Sequence, residues 1–186
     1  AEKSKILNQK DFDKAKETIQ FIKDKKWNSA LKSVSKVKDR EFRNLITWMY
    51  LKTTRNGASF NEYKKFIEQN GDYPRINRIR YLAEEKIYLR NNSPSSIINW
   101  FEKYPPVGGL GKIKLAEAYL EKGQIDQVKE LIKEGWVTAQ IRKNDLGYYR
   151  AKFKKFINSD DHVRRADYLA WERKYWDLKR MLKYLP

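Results

Sequence analysis

The sequence predicts an all-α fold, a curved α-superhelix in which about ten or eleven helices stack as antiparallel hairpins. Apolar residues recur at helical spacing in nearly every segment, and no stretch shows the sustained alternation of a half-buried strand. The connections are short, which is typical of helical hairpins rather than of bundles with long crossovers. Three of them also resemble one another. We therefore expect residues 1–186 to form a single helical-repeat domain.

Three helical segments open the chain: DFDKAKETIQFIKDKK, KWNSALKSVSKV and REFRNLITWMYLKTT. The third is apolar on more than one side, so we expect it to lie buried between neighbours. After a break at RNGAS, Ser59 and Glu62 have the spacing of a capping box that begins the helix FNEYKKFIEQN. Gly71 is predicted to end that helix. Pro74 is predicted to lie in the first turn of the next one, where its missing N–H costs nothing.

The second half of the chain continues the same pattern. A short helix, IINWFEKY, ends at Pro105 and Pro106, and a helix pair then follows across Gly123. The glycines of GGLG at 108–111 lack both a preceding strand and the spacing of a nucleotide-binding motif, so we interpret them as a flexible start of a helix. The segment NDLGYYRAKFKKFIN and the stretch 159–185 supply the remaining helices.

Three turns share one pattern, a turn residue, a spacer, a bulky apolar residue and then Asn or Asp: KKWNSA at 25–30, GQIDQV at 123–128 and KYWDLK at 174–179. The Asn or Asp suits the first turn of the incoming helix, where free N–H groups favour an oxygen acceptor. The bulky residue, Trp176 in the third turn, is predicted to wedge between the two helices. The helix pair around the second turn also resembles a tetratricopeptide hairpin.

The chain is strongly basic, with 41 Lys and Arg against 24 Asp and Glu and a net charge of +17. Such a surface favours polyanions, namely nucleic acid, anionic lipid or a carboxylate-rich cell-wall polymer. The abundance of Lys, Asn, Ile and Tyr is also typical of A+T-rich genomes. Selected polyanion binding and genomic bias both stay open as explanations.

Composition also argues against several kinds of site. The absence of cysteine excludes disulfides, a thiol nucleophile and Cys-based metal sites, and a single histidine without a dense carboxylate cluster argues against other metal sites. We expect no cofactor and no catalytic residues. No apolar run approaches the roughly 18 residues that span a membrane. The N-terminus AEKSKILNQK has no hydrophobic signal region, and a start at Ala1 suits an end left by signal-peptide cleavage or an engineered start.

The only histidine, His162, lies close in sequence to Arg165 and Asp167, which raises the possibility of an active site. On a helical wheel of about 100° per residue, Asp167 falls about 140° from His162, and Arg165 lies on the opposite side. The three groups therefore diverge on one helix. We expect His162 to be neutral and hydrogen-bonded in a helix interface, since a general base would need partners from elsewhere.

The same wheel makes further predictions for this helix. It places Val163, Ala166, Leu169 and Ala170 with His162 on the core side. Asp167 is predicted to pair with Arg164 on the helix surface. Ser159 or Asp160 is expected to cap the helix.

Two other residue classes have a structural and a functional interpretation. The acidic pairs Glu84–Glu85 and Asp160–Asp161 diverge as neighbours on a helix, so we expect solvated charge or caps rather than a glycosidase pair. The tryptophans are expected mainly in the core, although some could line a groove and stack on sugar rings or bases: Trp48, Trp100, Trp136, Trp171 and Trp176.

Three segments together resemble the N-terminal helical region of soluble lytic transglycosylases: NGASFNEYKKFIEQNGDYPRINRIRYLAEEKI (56–87), WFEKYPPVGGLGKIKLAEAYLEKGQIDQVKELIKEGW (100–136) and DHVRRADYLAWERKYWDLKRML (161–182). Their order and spacing match across nearly the whole chain. The last segment contains the family's signature: Asp161-His162, Arg165, Asp167, Trp171 and Arg180-Met181-Leu182. Trp176 belongs to the same segment, and we take these residues as structural signature positions.

The resemblance implies an α-superhelix that curves into a U or a ring. It implies a periplasmic enzyme that cleaves peptidoglycan glycan strands and leaves a 1,6-anhydromuramoyl end. In this family a C-terminal lysozyme-like domain supplies the acid/base glutamate within a Glu-Ser motif. Here no glutamate is followed by serine, and the sequence ends at KYLP. The chain is thus expected to be a fragment of the enzyme, or a reduced protein that kept the scaffold, and to be inactive as given.

The leading hypothesis is a non-catalytic, periplasmic scaffold domain that binds peptidoglycan or cell-wall proteins and positions an absent catalytic domain. One alternative is a basic helical-repeat protein that binds nucleic acid, favoured by charge and aromatic content. Another is an adaptor that binds peptides on a helical-repeat surface. The sequence assigns no ligand-binding residues to any of them.

Overall fold

The computed structural model describes residues 4–186, and this part of the chain is helical without any strand. It contains eleven α-helices followed by a short 3-10 helix at Leu182–Tyr184. The α-helices are α1 Gln9–Lys23, α2 Trp27–Val34, α3 Arg40–Leu51, α4 Phe60–Gln69, α5 Ile76–Glu84, α6 Pro94–Lys103, α7 Gly109–Glu121, α8 Ile125–Thr138, α9 Lys143–Lys152, α10 Ser159–Trp171 and α11 Tyr175–Met181. The predicted all-α fold of packed helical hairpins is confirmed.

The chain divides into two compact units, Ala1–Ile79 and Arg80–Pro186. In the first unit α1 packs on α2, α2 on α3 and α3 on α4. In the second unit α6 packs on α7, α7 on α8, α8 on α10 and α10 on α11. Most helices thus contact their neighbours in the sequence, as expected of stacked hairpins. The prediction of a single domain over 1–186 stays a prediction.

The core of the second unit forms around α7 and α8. Its buried residues are Leu110, Ile113, Ala116, Val128, Ile132, Trp136, Ala139, Ile141, Leu146, Tyr149, Phe153, Ile157, Leu169 and Met181. In the first unit Val34, Val37 and Ile46 form a smaller cluster. The buried carboxylate of Asp11 there accepts hydrogen bonds from the backbone N–H groups of Lys38 and Asp39, which ties the α2–α3 connection to α1.

Three hairpin turns have the same backbone geometry. Each has a residue with positive φ, Lys25 (58°), Gly123 (72°) or Arg173 (56°), and the N–H of the next residue bonds to the carbonyl five positions earlier. This is the Schellman arrangement that ends helices. The first two turns lie where the sequence pattern placed them. The third is shifted by one residue, because Arg173 rather than Lys174 adopts the positive φ.

Helix starts follow the sequence signals in part. Ser59 and Glu62 form the predicted capping box of α4, and Pro94 occupies the first turn of α6. By contrast, α4 ends at Gln69 before Gly71, and α5 begins at Ile76, so Pro74 precedes the helix rather than lying in its first turn. The reason is Arg75, whose φ of 57° is not helical.

The glycines at 108–111 permit close packing rather than flexibility. A Cβ at Gly109 would lie 2.6 Å from the backbone nitrogen of Ala139 at the end of α8. A Cβ at Gly111 would collide with the carboxylate of Glu84. These residues therefore begin α7 as predicted, but for the reason that glycine has no side chain to collide with the adjacent segments of the same chain.

Candidate functional site

His162 lies buried in the interface between α8 and α10. Its Nδ1 accepts a hydrogen bond from the indole N–H of Trp136 at 3.1 Å, and the two rings meet edge to face. Burial lowers the pKa of His162, and the positive charge of Arg150 lowers it further. The imidazole is thus neutral and carries its proton on Nε2. The structure places it where the helical wheel did.

Arg165 is the main polar anchor of the same interface, and sequence analysis did not assign it that role. Only 1% of its surface is exposed, and its Nη1 donates to the carbonyl oxygens of Trp136 and Ala139 at 2.8 and 2.6 Å. These carbonyls belong to the end of α8, which otherwise lacks intrahelical partners for them. Burial lowers the pKa of Arg165 to about 10. The guanidinium therefore acts as a buried C-cap.

The buried face of α10 differs from the face that the helical wheel predicted, because it includes Arg165. The core face of α10 has His162, Arg165, Ala166 and Leu169, at positions i, i+3, i+4 and i+7. Val163 and Ala170, which were expected on that face, are exposed. An arginine occupies a core position because its donors meet helix-end carbonyls, a partnership that hydrophobic periodicity alone does not reveal.

The cap and the ion pairs of α10 also differ from the predicted ones. Asn158 caps the helix, in a capping box with Asp161, so neither Ser159 nor Asp160 is the cap. Arg164 lies 3.8 Å from Asp161 instead of pairing with the exposed Asp167. Asp161 is itself buried and accepts from Lys133 at 2.6 Å. The structure thus brings His162 and Arg165 together around Trp136, and leaves Asp167 outside.

Not all the tryptophans lie in the core. Trp100 and Trp136 are buried and Trp48 is partly buried, whereas Trp171 is 86% exposed and Trp176 is 64% exposed. The prediction that Trp176 wedges between helices is wrong. The shifted turn moves Tyr175 into the bulky position, and Leu178 and Met181 make the core contacts of α11.

Three exposed aromatic residues cluster in sequence around the α10–α11 turn. We call Trp171, Tyr175 and Trp176 the aromatic surface. The Tyr175 and Trp176 rings lie 5.0 Å apart, and Lys179 Nζ is 5.4 Å from the centre of the Trp176 ring. The turn between α10 and α11 contributes two more cations, Arg173 and Lys174. Exposed aromatic faces next to cations suit a ligand with flat or ring-shaped groups and negative charge.

A second candidate site is a pocket of about 340 Å³ in the second unit, which we call the tyrosine pocket. Its volume falls within the range of small-molecule sites. Three tyrosines line it together with one leucine and four charged or polar side chains: Tyr88, Tyr148, Tyr149, Leu89, Arg90, Glu117, Asn144 and Asp145. The hydroxyl of Tyr88 donates to Asp145 at 3.0 Å. Lys152 lies 2.8 Å from Glu121 and 3.3 Å from Glu117.

Lys114 lies behind the tyrosine pocket and is 2% exposed. Its Nζ is 3.6 Å from the centre of the Tyr88 ring and 5.6 Å from that of Tyr149, and it has no hydrogen-bond acceptor among residues 4–186. Burial lowers the pKa of Lys114 to about 8, opposed by the charges of Asp145 and Glu117. Its apolar neighbours in α7, Ile113 and Leu115, are the sequence signal for its burial, and both are buried themselves.

Glu84 is a buried structural acid rather than the solvated charge that was expected. It is 3% exposed and accepts hydrogen bonds from the backbone N–H groups of Val107 and Gly108 at 2.8 and 2.9 Å. Burial raises its pKa to about 7, against the effect of these N–H donors. Glu84 thus holds the segment that leads into α7.

Residues 4–186 contain no group of three or more His, Asp or Glu side chains arranged to hold a metal ion. Within the same residues, every helix is too short or too polar to cross a membrane. Comparisons with protein-family models, with curated proteins and with solved structures found no match for the chain.

Proposed function

We propose that the chain is a non-catalytic helical scaffold that binds peptidoglycan and belongs to a periplasmic lytic transglycosylase or to a reduced form of one. The observation that supports the binding role most directly is the aromatic surface, in which Trp171 is 86% and Trp176 is 64% exposed. Glycan-binding proteins stack sugar rings on such faces, and a group of exposed aromatic side chains marks a candidate interaction site.

The positive charge supports the same ligand. The peptide stems of peptidoglycan bear carboxylates, and the net charge of +17 attracts them. Lys179 lies against the Trp176 ring, and Arg173 and Lys174 are sequence neighbours of Tyr175, so ring stacking and charge attraction would act on one ligand. We expect binding to weaken as salt screens the charges, with a screening length of about 10 Å at 0.1 M.

The positions of His162 and Arg165 support a scaffold rather than a catalyst. Both side chains bond to Trp136 or to the end of α8, so they hold two helices together. Asp167 lies apart from them on the exposed side. The segment that resembles the family signature thus stabilises the helical array.

Cosedimentation with purified sacculi tests the proposal. The chain should be retained at low salt above a basic control protein of equal net charge, and a zymogram of the same preparation should show no clearing. Retention no greater than that of the control would contradict peptidoglycan binding. Clearing in the zymogram would contradict the non-catalytic role.

Single-stranded RNA provides the comparison with the nucleic-acid hypothesis. A helical-repeat protein that binds nucleic acid should shift a labelled oligonucleotide with a steep dependence on salt concentration. If the chain binds RNA tightly and sacculi do not compete, the glycan proposal is wrong and the nucleic-acid alternative is right.

A further inference from the structure

His162 is the only histidine of the chain, and its hydrogen bond to Trp136 exists only while the imidazole is neutral. The indole N–H of Trp136 donates to Nδ1 at 3.1 Å, so this nitrogen must carry a free lone pair. A protonated imidazole has an N–H at both nitrogens and accepts no hydrogen bond. Protonation of His162 therefore sets two donors against each other in the buried interface between α8 and α10.

Fixed positive charges around His162 oppose a further charge there. Arg165 donates to the carbonyl of Trp136 at 2.8 Å, beside the same indole. Arg150 lies 4.9 Å from the centre of the Tyr184 ring, and that ring lies 5.8 Å from the imidazole. The charges of Arg150 and Arg165 both lower the pKa of His162, in addition to its burial.

The carboxylate next to His162 is already engaged in other bonds. Asp161 favours protonation of the imidazole, but it accepts from Lys133 Nζ at 2.6 Å and from the backbone N–H of Asn158 at 2.9 Å. Asp161 thus serves the start of α10, and the net effect of the surroundings is to lower the pKa of His162. The other titratable groups close to this interface belong to α11 and the 3-10 helix: Asp177 and Arg180, which bond to each other at 2.6 Å, and Tyr184.

We propose that His162 is a pH-sensitive switch that holds α10 on α8 while it is neutral and weakens this interface when it is protonated. Trp171 ends α10 and Tyr175 begins α11, so the switch controls how firmly the aromatic surface is attached to the core around α7 and α8. The proposal does not rest on peptidoglycan binding, and its tests use the full chain without any ligand.

The direction of the effect follows from the pKa of His162, which is lower in the folded protein than its ordinary value of 6.5. The interface is therefore fully stable above pH 6.5 and loses stability as the pH falls below that value. When α10 is detached, the imidazole has its ordinary pKa, and at pH 5.5 about ten charged rings exist for each neutral one. Acidification to pH 5.5 thus favours detachment by at most about tenfold.

Amide hydrogen exchange along α10 measures this effect. Between pH 7.5 and 5.5 the protection factors of α10, corrected for the intrinsic exchange rate, should fall by more than about threefold and by at most about tenfold. His162→Asn keeps an oxygen acceptor close to the position of Nδ1 and cannot be protonated, so protection in this variant should not fall. Amides of α4, in the first unit, serve as the internal control and should behave alike in both proteins.

An NMR titration tests the hydrogen bond itself. The imidazole resonances need no assignment by mutation, because the chain has one histidine. Their midpoint should lie below pH 6.5, and the indole N–H resonance of Trp136 should move with the same midpoint. Trp48 is the matched control, since its indole N–H donates at 3.1 Å to the carbonyl of Pro74, which does not titrate.

Three results would overturn the proposal. The first is a midpoint for His162 at or above pH 6.5, and the second is a Trp136 indole resonance that does not follow the imidazole. The third is an equal loss of protection along α10 in the wild type and in His162→Asn. If His162→Asn does not fold, the titration of the wild type decides, because a midpoint below 6.5 that both rings share supports the switch and any other outcome refutes it.

Discussion

Replacement of Arg165 by alanine should lower the free energy of unfolding by about 3 kcal/mol. The loss of two buried methylenes, since alanine keeps Cβ, costs about 1.6 kcal/mol. The carbonyls of Trp136 and Ala139 lose their donor, at about 2 kcal/mol each. Against this, the guanidinium no longer has to be buried, and the fall of its pKa from 12.5 to about 10 corresponds to about 3 kcal/mol.

Arg164 supplies the matched control because it is the adjacent arginine on the same helix. Its side chain is 60% exposed and lies 3.8 Å from Asp161, so Arg164→Ala should change stability by no more than about 0.5 kcal/mol. Arg165→Met keeps the apolar stem and removes both the charge and the donors. Its expected loss is therefore smaller, about 1 kcal/mol.

Urea unfolding followed by circular dichroism measures all three variants in parallel. The urea midpoint should be highest for Arg164→Ala, lower for Arg165→Met and lowest for Arg165→Ala, at an unchanged m-value. If Arg165→Ala is as stable as Arg164→Ala, Arg165 does not cap α8. A loss in Arg164→Ala as large as that in Arg165→Ala would contradict the cap as well.

Three further predictions concern the turns and the buried acid. Lys25→Gly and Arg173→Gly should each raise the free energy of unfolding by about 0.5–1 kcal/mol, because glycine adopts positive φ without strain. Gly123→Ala should lower the free energy of unfolding by a similar amount. Urea midpoints that move in the opposite direction would show that the turns are not strained. The pKa of Glu84 is raised above its unfolded value, so its contribution to stability is fully present below pH 4.5 and is lost as pH rises through about 7. Unfolding midpoints measured across this window should show a loss of up to about 3 kcal/mol in the wild type and a smaller loss in Glu84→Gln. An equal pH dependence in both proteins would contradict the raised pKa. Gly111→Ala should lower stability by more than 1 kcal/mol in thermal unfolding, since its methyl group collides with the Glu84 carboxylate, and a neutral effect would mean that the contact relaxes easily.

Local signals predicted much of the fold. Helical periodicity indicated the all-α fold, and the capping box at Ser59 gave the start of α4 because such a box needs only two residues three positions apart. The Schellman turns at Lys25 and Gly123 were also visible as a repeated pattern. The third turn was predicted one residue too late, since Arg173 has none of the sequence character of a left-handed residue.

Contacts that join distant parts of the chain could not be predicted. Arg165 is buried because carbonyls about 26–29 residues away need donors, and the wheel of its own helix cannot show them. The tyrosine pocket likewise joins Tyr88 to Tyr148 and Tyr149 across some sixty residues. Trp176 was expected to wedge between helices, yet α11 packs through Leu178 and Met181 and leaves it exposed, while Trp171 lies on the exposed side of α10 with Asp167.

Sacculus retention by a Trp171→Ala/Trp176→Ala double variant tests the proposed function most directly. Ile6→Ala is the control, since Ile6 is 88% exposed, comparable to Trp171, and lies far from both tryptophans in the sequence. We predict that the double variant loses at least about 90% of the low-salt retention, which corresponds to about 1.4 kcal/mol, while the Ile6 variant retains the wild-type level. Equal retention by the double variant and the wild type would contradict glycan binding by the aromatic surface.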